Sequence, residues 1–160
     1  MLVTFLKKDD GRLCGWTAVP AKRRGFQGTT MASGRDLPHD LATFVVESTL
    51  GLDRGFWNLV ANGATFESIR RRPSEPGRDL IRRYRSELNA AESTVNSQVA
   101  AWRAGKPTPV GPHLTTMLAQ WRALRDGGQI VLVWPTRRLP PSLHGRHARR
   151  PGTSAAAPRP

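Results

Sequence analysis

The chain has 160 residues, a formal charge of +13 and a single cysteine at position 14. This length predicts one domain, and a lone cysteine excludes an intramolecular disulfide and a cysteine-based zinc site. No apolar run approaches the length of a membrane span, and the apolar start before Lys7 is too short for a secretion signal, so we expect a cytoplasmic protein with no membrane contact.

The positive charge is concentrated in arginine and at the C-terminus. Arginine outnumbers lysine by 21 to 4, and six of the arginines lie in residues 135–160, which contain no acidic residue. This proline- and arginine-rich tail has too little apolar surface to offset its ordering entropy, so we predict a domain over 1–134 and a disordered basic tail over 135–160. A basic surface attracts nucleic acid, but an arginine excess is also typical of a GC-rich genome, and the charge alone leaves both explanations open.

The N-terminal residues predict a β-hairpin. Leu2–Leu6 and Leu13–Val19 are rich in strand formers, and Asp10-Gly11 between them is a strong turn signal. This turn places Phe5 opposite Trp16, and alternation along each strand then defines one inward face. The face predicted to be buried consists of Val3, Phe5, Cys14, Trp16 and Ala18.

Helices and one further strand are predicted after the hairpin. Residues 20–35 are typical of a surface loop with a short strand at Phe26–Met31, and Gln129–Trp134 predicts a last strand beside the hairpin. The order of elements predicts an α+β fold, in which a small antiparallel sheet, made of the N-terminal hairpin plus the C-terminal strand, packs against about four helices. Apolar periodicity and glycine or proline breaks predict these helices over Pro38–Leu50, Asp53–Asn62, Gly77–Ala104 and the segment between Pro112 and Gly127.

The first predicted helix carries a polar row: His39, Thr43 and Glu47 at successive turns, with Asp40 alongside. Histidine and carboxylates on one face can hold a metal or move protons, which suggests a metal-dependent or hydrolase-like enzyme centred on His39 and Asp40, with Glu47 as a further catalytic candidate. Against this, Thr43 is a poor ligand, and Asp40 and Glu47 are about 10 Å apart along the axis. In the structural alternative, Asp40 complements the helix start and His39 hydrogen-bonds locally. Glu47 then pairs with an arginine such as Arg54.

This region resembles a group of small actinobacterial proteins of unknown function that share a Leu-Pro-His-Asp-Leu helix start. Relatives often have a second histidine where this chain has Thr43, so the chain departs from the group at the position that would complete a metal pair. The resemblance implies a compact intracellular domain and no particular activity. It rests on Leu37-Pro38-His39-Asp40-Leu41, Phe44-Val45-Val46-Glu47, Gly51-Leu52 and Gly55-Phe56-Trp57, and extends loosely to the hairpin and to Trp121–Trp134.

An arginine cluster in residues 70–85 is the second candidate site. Arg78, Arg82 and Arg85 share one face of the predicted long helix and could contact successive phosphates of a nucleic acid. The alternative is a solvated helix face with ion pairs such as Arg83–Glu87. No helix-turn-helix, zinc-finger or stacking-aromatic signature accompanies these arginines.

The sequence favours a small basic domain that acts as a non-catalytic binding or regulatory module for protein or nucleic acid. It predicts no cofactor and no bound metal, and it leaves the oligomeric state open. His113 is interpreted as a helix-start residue rather than a base, and His144 and His147 lie in the tail. The binding and enzymatic hypotheses differ in whether the polar row converges with His113 in one pocket.

Overall fold

A computed structural model describes residues 1–20, 25–28, 31–32, 37–67 and 74–139 of the chain. Within these residues a five-stranded sheet and five α-helices confirm the predicted α+β fold. The strands are β1 (Leu2–Lys8), β2 (Leu13–Val19), β3 (Phe26–Gln27), β4 (Met31–Ala32) and β5 (Gln129–Val133). The helices are α1 (His39–Leu50), α2 (Phe56–Ala61), α3 (Glu75–Arg83), α4 (Arg85–Arg103) and α5 (Gly111–Ala123).

The sheet is antiparallel, with the order β3-β2-β1-β5, and β4 also pairs with β2. Phe5 lies opposite Trp16 and β5 pairs with β1, as the sequence predicts. The hairpin connection is longer than the predicted two-residue turn, because a 3-10 turn spans Asp9–Gly11 before β2 begins. Asp9 and Asp10 take positive φ angles of 52° and 50° there. The short strand predicted at Phe26–Met31 is instead two strands, β3 and β4.

The core lies between the inner face of the sheet and the helices. All five residues predicted to face inward are buried, and side chains of α1, α2, α4 and α5 pack against them. The ring of Phe5 meets those of Phe44 and Trp57 edge to face, with centroids 5.9 and 5.5 Å apart. Trp16 meets Trp57 in the same way at 4.9 Å. This aromatic cluster fixes α1 and α2 against the hairpin, since such pairs favour one geometry.

The first two helices differ in how well the sequence locates them. α1 begins at His39 after Pro38 and ends at Gly51, whose left-handed φ of 65° is a conformation that glycine adopts without strain. α2 begins at Phe56 after Gly55, so the predicted start at Asp53 is wrong. The first backbone N–H groups of α2 donate to the side chain of Glu47, which belongs to the candidate site.

The single long helix predicted over Gly77–Ala104 is two helices, α3 and α4. Ser74 caps α3, because its Oγ accepts a 3.3 Å hydrogen bond from the backbone N–H of Gly77. Tyr84 separates the helices with φ −109° and ψ 18°, outside the helical range. Its side chain is buried in a small cluster with Leu59 and Ala64, and this packing accounts for the break that periodicity did not reveal.

The described contacts extend past residue 134, where the sequence placed the domain boundary. The backbone N–H of Arg137 donates to Oδ1 of Asn58 at 3.0 Å, and the Asn58 amide donates back to the Arg137 carbonyl at 3.1 Å. The Arg137 guanidinium also binds Asp53 at 3.0 Å. Residues 140–160, with His144 and His147, lie outside the described residues, so disorder of the tail stays a prediction.

Candidate functional site

The polar row of α1 lines a cleft of about 220 Å³ between α1, α2 and α4. The structure therefore brings the catalytic candidates His39, Asp40 and Glu47 to one concave surface. It does not bring His113 there, because that residue is exposed in the first turn of α5 and does not line the cleft. The remaining lining residues are Thr43 from α1, Phe56 and Phe66 on the α2 side, and Leu88, Glu92 and Val95 from α4.

Asp40 connects the cleft to the sheet and to α2. Its Oδ2 accepts a 2.9 Å hydrogen bond from the indole N–H of Trp16, and its backbone carbonyl accepts one of 3.3 Å from the indole N–H of Trp57. Burial raises the pKa of Asp40, while the charge of His39 and the bond from Trp16 act in the opposite direction. The bond from Trp16 is to Oδ2, one of the two carboxylate oxygens that Asp40 can offer as acceptors.

Thr43 is 8% exposed, and its Oγ1 has no hydrogen-bond partner among the described residues. Buried hydroxyls nearly always have a partner, because an unsatisfied one costs about 1–3 kcal/mol. Thr43 lies one turn from both His39 and Glu47 on the face that lines the cleft. A group that enters the cleft could satisfy this hydroxyl.

Glu47 is 1% exposed at the base of the polar row. Its Oε1 accepts from the backbone N–H of Phe56 at 2.8 Å, and its Oε2 from that of Trp57 at 2.9 Å. Glu47 therefore caps α2 from a distance. Its ion pair with an arginine such as Arg54 stays a prediction. Gly55 is required for this approach, since a Cβ there would lie 2.4 Å from the carboxylate.

The environment of Glu47 opposes its ionisation. Burial raises its pKa from an ordinary 4.5 to about 7, although the two N–H bonds from Trp57 and Phe56 favour the charged form. Its capping role also removes a binding site for anions. The N–H groups at the start of a helix attract anions, and here the Glu47 side chain occupies two of them.

The chemistry of the cleft is acidic, in contrast to the chain as a whole. Asp40 and Glu47 from α1 and Glu92 from α4 line it, and His39 is exposed at its rim. Among the residues that the structure describes, no three histidine, cysteine or carboxylate side chains are placed to hold a metal ion. The polar side chains of the cleft are better suited to form hydrogen bonds with an organic group than to coordinate a metal.

The arginines proposed to contact nucleic acid do not lie on one helix. Arg78 and Arg82 belong to α3, and Arg85 follows the break at Tyr84 as the first residue of α4. Glu75 pairs with Arg78 at 2.7 Å and with Arg82 at 2.8 Å, and Asp79 also pairs with Arg82. Arg70 to Arg72, which belong to the same cluster, lie outside the described residues.

The sequence patterns did not predict the role of Lys7, and they predicted the environment of Cys14 only in part. Lys7 is 9% exposed, and its ammonium donates to the carbonyls of Trp121 and Leu124 at 3.1 and 2.8 Å, at the end of α5. Only its alternation with Val3 and Phe5 on β1 could have signalled burial. Cys14 is buried as expected, and burial together with the charge of Asp40 raises its pKa to about 12, which disfavours a reactive thiolate.

A larger groove of about 430 Å³ lies at the C-terminal end of α1, between Gly51–Arg54 and α4. It is more open than the cleft, and its charged groups Arg54 and Glu87 already interact within the fold. We therefore regard the cleft as the better candidate, since it combines enclosure with unused polar atoms.

Comparisons of this chain with protein-family models, with curated proteins and with solved structures find no significant match. The resemblance to the actinobacterial group therefore remains an expectation from a few short motifs. Among the described residues, no helix is both long enough and apolar enough to cross a bilayer.

Proposed function

We propose that this domain is a non-catalytic binding module whose ligand occupies the cleft lined by the polar row. The observation that carries the proposal is the hydroxyl of Thr43, which is buried without a partner among the described residues. The sequence favoured a protein or nucleic-acid partner, whereas the cleft favours a small ligand. At about 220 Å³ it lies below the range of about 300–1,000 Å³ for drug-sized ligands, so it suits a compact molecule.

Binding fits the polar groups better than catalysis does. A nucleophilic hydroxyl needs a base within hydrogen-bond reach, and Thr43 has no such partner in the described chain. Both oxygens of Glu47 are held by backbone N–H groups, which reduces its freedom to transfer a proton. The enzymatic alternative centred on His39 and Asp40 keeps the support of their shared cleft, but no second observation favours it.

Ligand-observed NMR with a panel of small neutral, anionic and cationic compounds tests this proposal. Leu88→Trp places a large ring in the cleft from α4, and Ser93→Trp adds the same ring at an exposed position of that helix. We expect compounds that bind the wild-type protein to lose binding in Leu88→Trp and to keep it in Ser93→Trp. The proposal fails if no compound of any charge binds, or if binding survives equally in both variants.

The nucleic-acid hypothesis gains no further support from the described contacts, since Arg78 and Arg82 already pair with acids of their own helix. It is testable with a chain truncated after Leu139, which removes most of the basic tail. Replacement of Arg78, Arg82 and Arg85 by Gln should flatten the salt dependence of DNA binding by about three units if all three contact phosphates. Absence of retention on DNA at about 50 mM salt would reject the hypothesis, because electrostatic attraction is strong there.

A further inference from the structure

We infer that the ligand of the cleft is a small organic cation, an ammonium group carried on a compact apolar body. This inference rests on the proposed function and specifies the chemistry of its ligand. The cleft combines three features: carboxylate oxygens, a buried hydroxyl without a partner among the described residues, and a set of apolar side chains. Each feature selects for a different part of such a molecule.

The acidic wall selects the charge. Asp40 and Glu47 from α1 and Glu92 from α4 line the cleft, and the bond from Trp16 engages Oδ2 of the Asp40 carboxylate. Anions are disfavoured, because the N–H groups at the start of α2 that could receive one bind Glu47 instead. The net charge of +13 repels cations from the molecule as a whole, so cation binding would have to come from this local arrangement.

The hydroxyl of Thr43 supplies the second, independent observation. An ammonium has three donors. Oγ1 of Thr43, unpaired among the described residues, and the carboxylate of Asp40 are acceptors on neighbouring turns of α1. A ligand that donates to both would satisfy the buried hydroxyl. It would also place its charge next to a carboxylate in a partly buried site, where charge-assisted hydrogen bonds are strong.

The apolar side chains select the body of the ligand. Phe56 and Phe66 lie in contact, with ring centroids 4.8 Å apart, and Leu88 and Val95 complete an apolar surface from α4. Aromatic faces attract cations as well as apolar groups. An ammonium joined to a small ring or a short alkyl chain therefore matches both sides of the cleft.

Benzylammonium, benzyl alcohol and benzoate are matched probes, since they share the ring and differ in the charge of the head group. We expect benzylammonium to bind at least about tenfold more tightly than benzyl alcohol, and benzoate not to bind, in NMR titrations near neutral pH. The indole N–H signals of Trp16 and Trp57 should shift, because both donate to Asp40. Equal binding of the three probes would overturn the inference while leaving a neutral-ligand module intact.

Variants connect the charge preference to the proposed residues. Asp40→Asn keeps an acceptor for Trp16 and removes the charge, and we expect it to weaken benzylammonium binding about tenfold. Thr43→Val keeps the shape of the side chain and removes its hydroxyl, with a weakening of about threefold or more. Glu75→Gln makes the same charge change on α3, outside the cleft, and should leave affinity within about twofold. Wild-type affinity in folded Asp40→Asn and Thr43→Val would overturn the inference.

Discussion

The indole nitrogen of Trp16 donates to Oδ2 of Asp40 over 2.9 Å, and this bond connects the central hairpin to the candidate site. Trp16 also packs edge to face on Trp57, whose own indole donates to the Asp40 carbonyl. The position of Asp40 therefore depends on two aromatic residues from two different elements. A substitution in the core of the sheet should therefore change the position of Asp40 in the cleft.

Replacement of Trp16 tests this connection. Trp16→Ala removes a large side chain that is 3% exposed, and we expect a loss of about 3–5 kcal/mol in the free energy of unfolding. Trp16→Phe keeps most of the ring packing and removes the donor to Asp40, so its cost should be smaller. Urea unfolding monitored by circular dichroism gives both values. An unchanged midpoint for Trp16→Ala would contradict the packing of this ring in the core.

Glu47 should make stability depend on pH. Its pKa is raised from 4.5 to about 7 in the folded state, so the folded chain holds a proton that the unfolded chain releases between these values. Stability therefore falls as pH rises through this window, by up to about 3 kcal/mol for a shift of this size. The neutral Glu47→Gln variant should lack this part of the decline in urea titrations across the window. Glu92→Gln, at an exposed carboxylate, is the control, and identical slopes in wild type and Glu47→Gln would refute the prediction.

The same titration should act on the ligand in the opposite direction. Ionised carboxylates attract a cation, so affinity for benzylammonium should rise as pH rises through about 7, where Glu47 loses its proton. His39 and Asp40 from α1 and Glu92 from α4 also face the cleft. Isothermal titration calorimetry at several pH values measures the trend. Affinity that falls with rising pH would contradict this prediction.

Lys7 should stabilise the end of α5. Its ammonium binds two carbonyls there within 3.1 Å, and Lys7→Met leaves them without this donor while keeping a long side chain. Hydrogen bonds to a charged group contribute about 1.5–3 kcal/mol, so we expect a loss of that order. Lys8→Met changes the neighbouring lysine, on the other face of β1, and should cost less than about 0.5 kcal/mol. Equal effects of the two variants would show that the ammonium of Lys7 is not required.

Two truncations locate the end of the domain. A chain that ends at Leu139 keeps Arg137, whereas a chain that ends at Thr136 leaves the fully buried Asn58 without its backbone partners at that residue. Because it loses these bonds, the shorter chain should have a free energy of unfolding about 1–3 kcal/mol lower than the longer chain. Thermal unfolding by differential scanning calorimetry compares them. Matching transitions would instead place the boundary at residue 134, as the sequence predicts.

The features predicted best from the sequence are the hairpin pairing and the end of α1, which depend on local residues. Asp10-Gly11 was sufficient for the pairing of Phe5 with Trp16, and Gly51 for the end of α1, because turns and caps depend on neighbouring residues. The start of α2 was missed because its cap, Glu47, comes from another helix. The break at Tyr84 was missed because its cause is tertiary packing.

The sequence predicted only the α1 side of the candidate site. Helical spacing placed the polar row on a single face, but nothing local indicated that Glu92 and Leu88, some forty residues further along, would form the opposite wall. The sequence did not predict that the hydroxyl of Thr43 would lack a partner among the described residues, because a threonine in a helix usually finds a partner or solvent. The packing of α2 and α4 against α1 defines the cleft.

The place of β1 between β2 and β5 has a consequence for the order of folding. Its partner β2 follows it by only a few residues. Ile130, which pairs with Phe5 from β5, lies about 125 residues further along the chain. During synthesis the hairpin can close early, but one edge of β1 stays open until nearly the whole domain has emerged from the ribosome. Until then Val3 and Phe5 expose an apolar strand to other chains nearby. β5, the last strand of the described chain, therefore protects the first strand from aggregation.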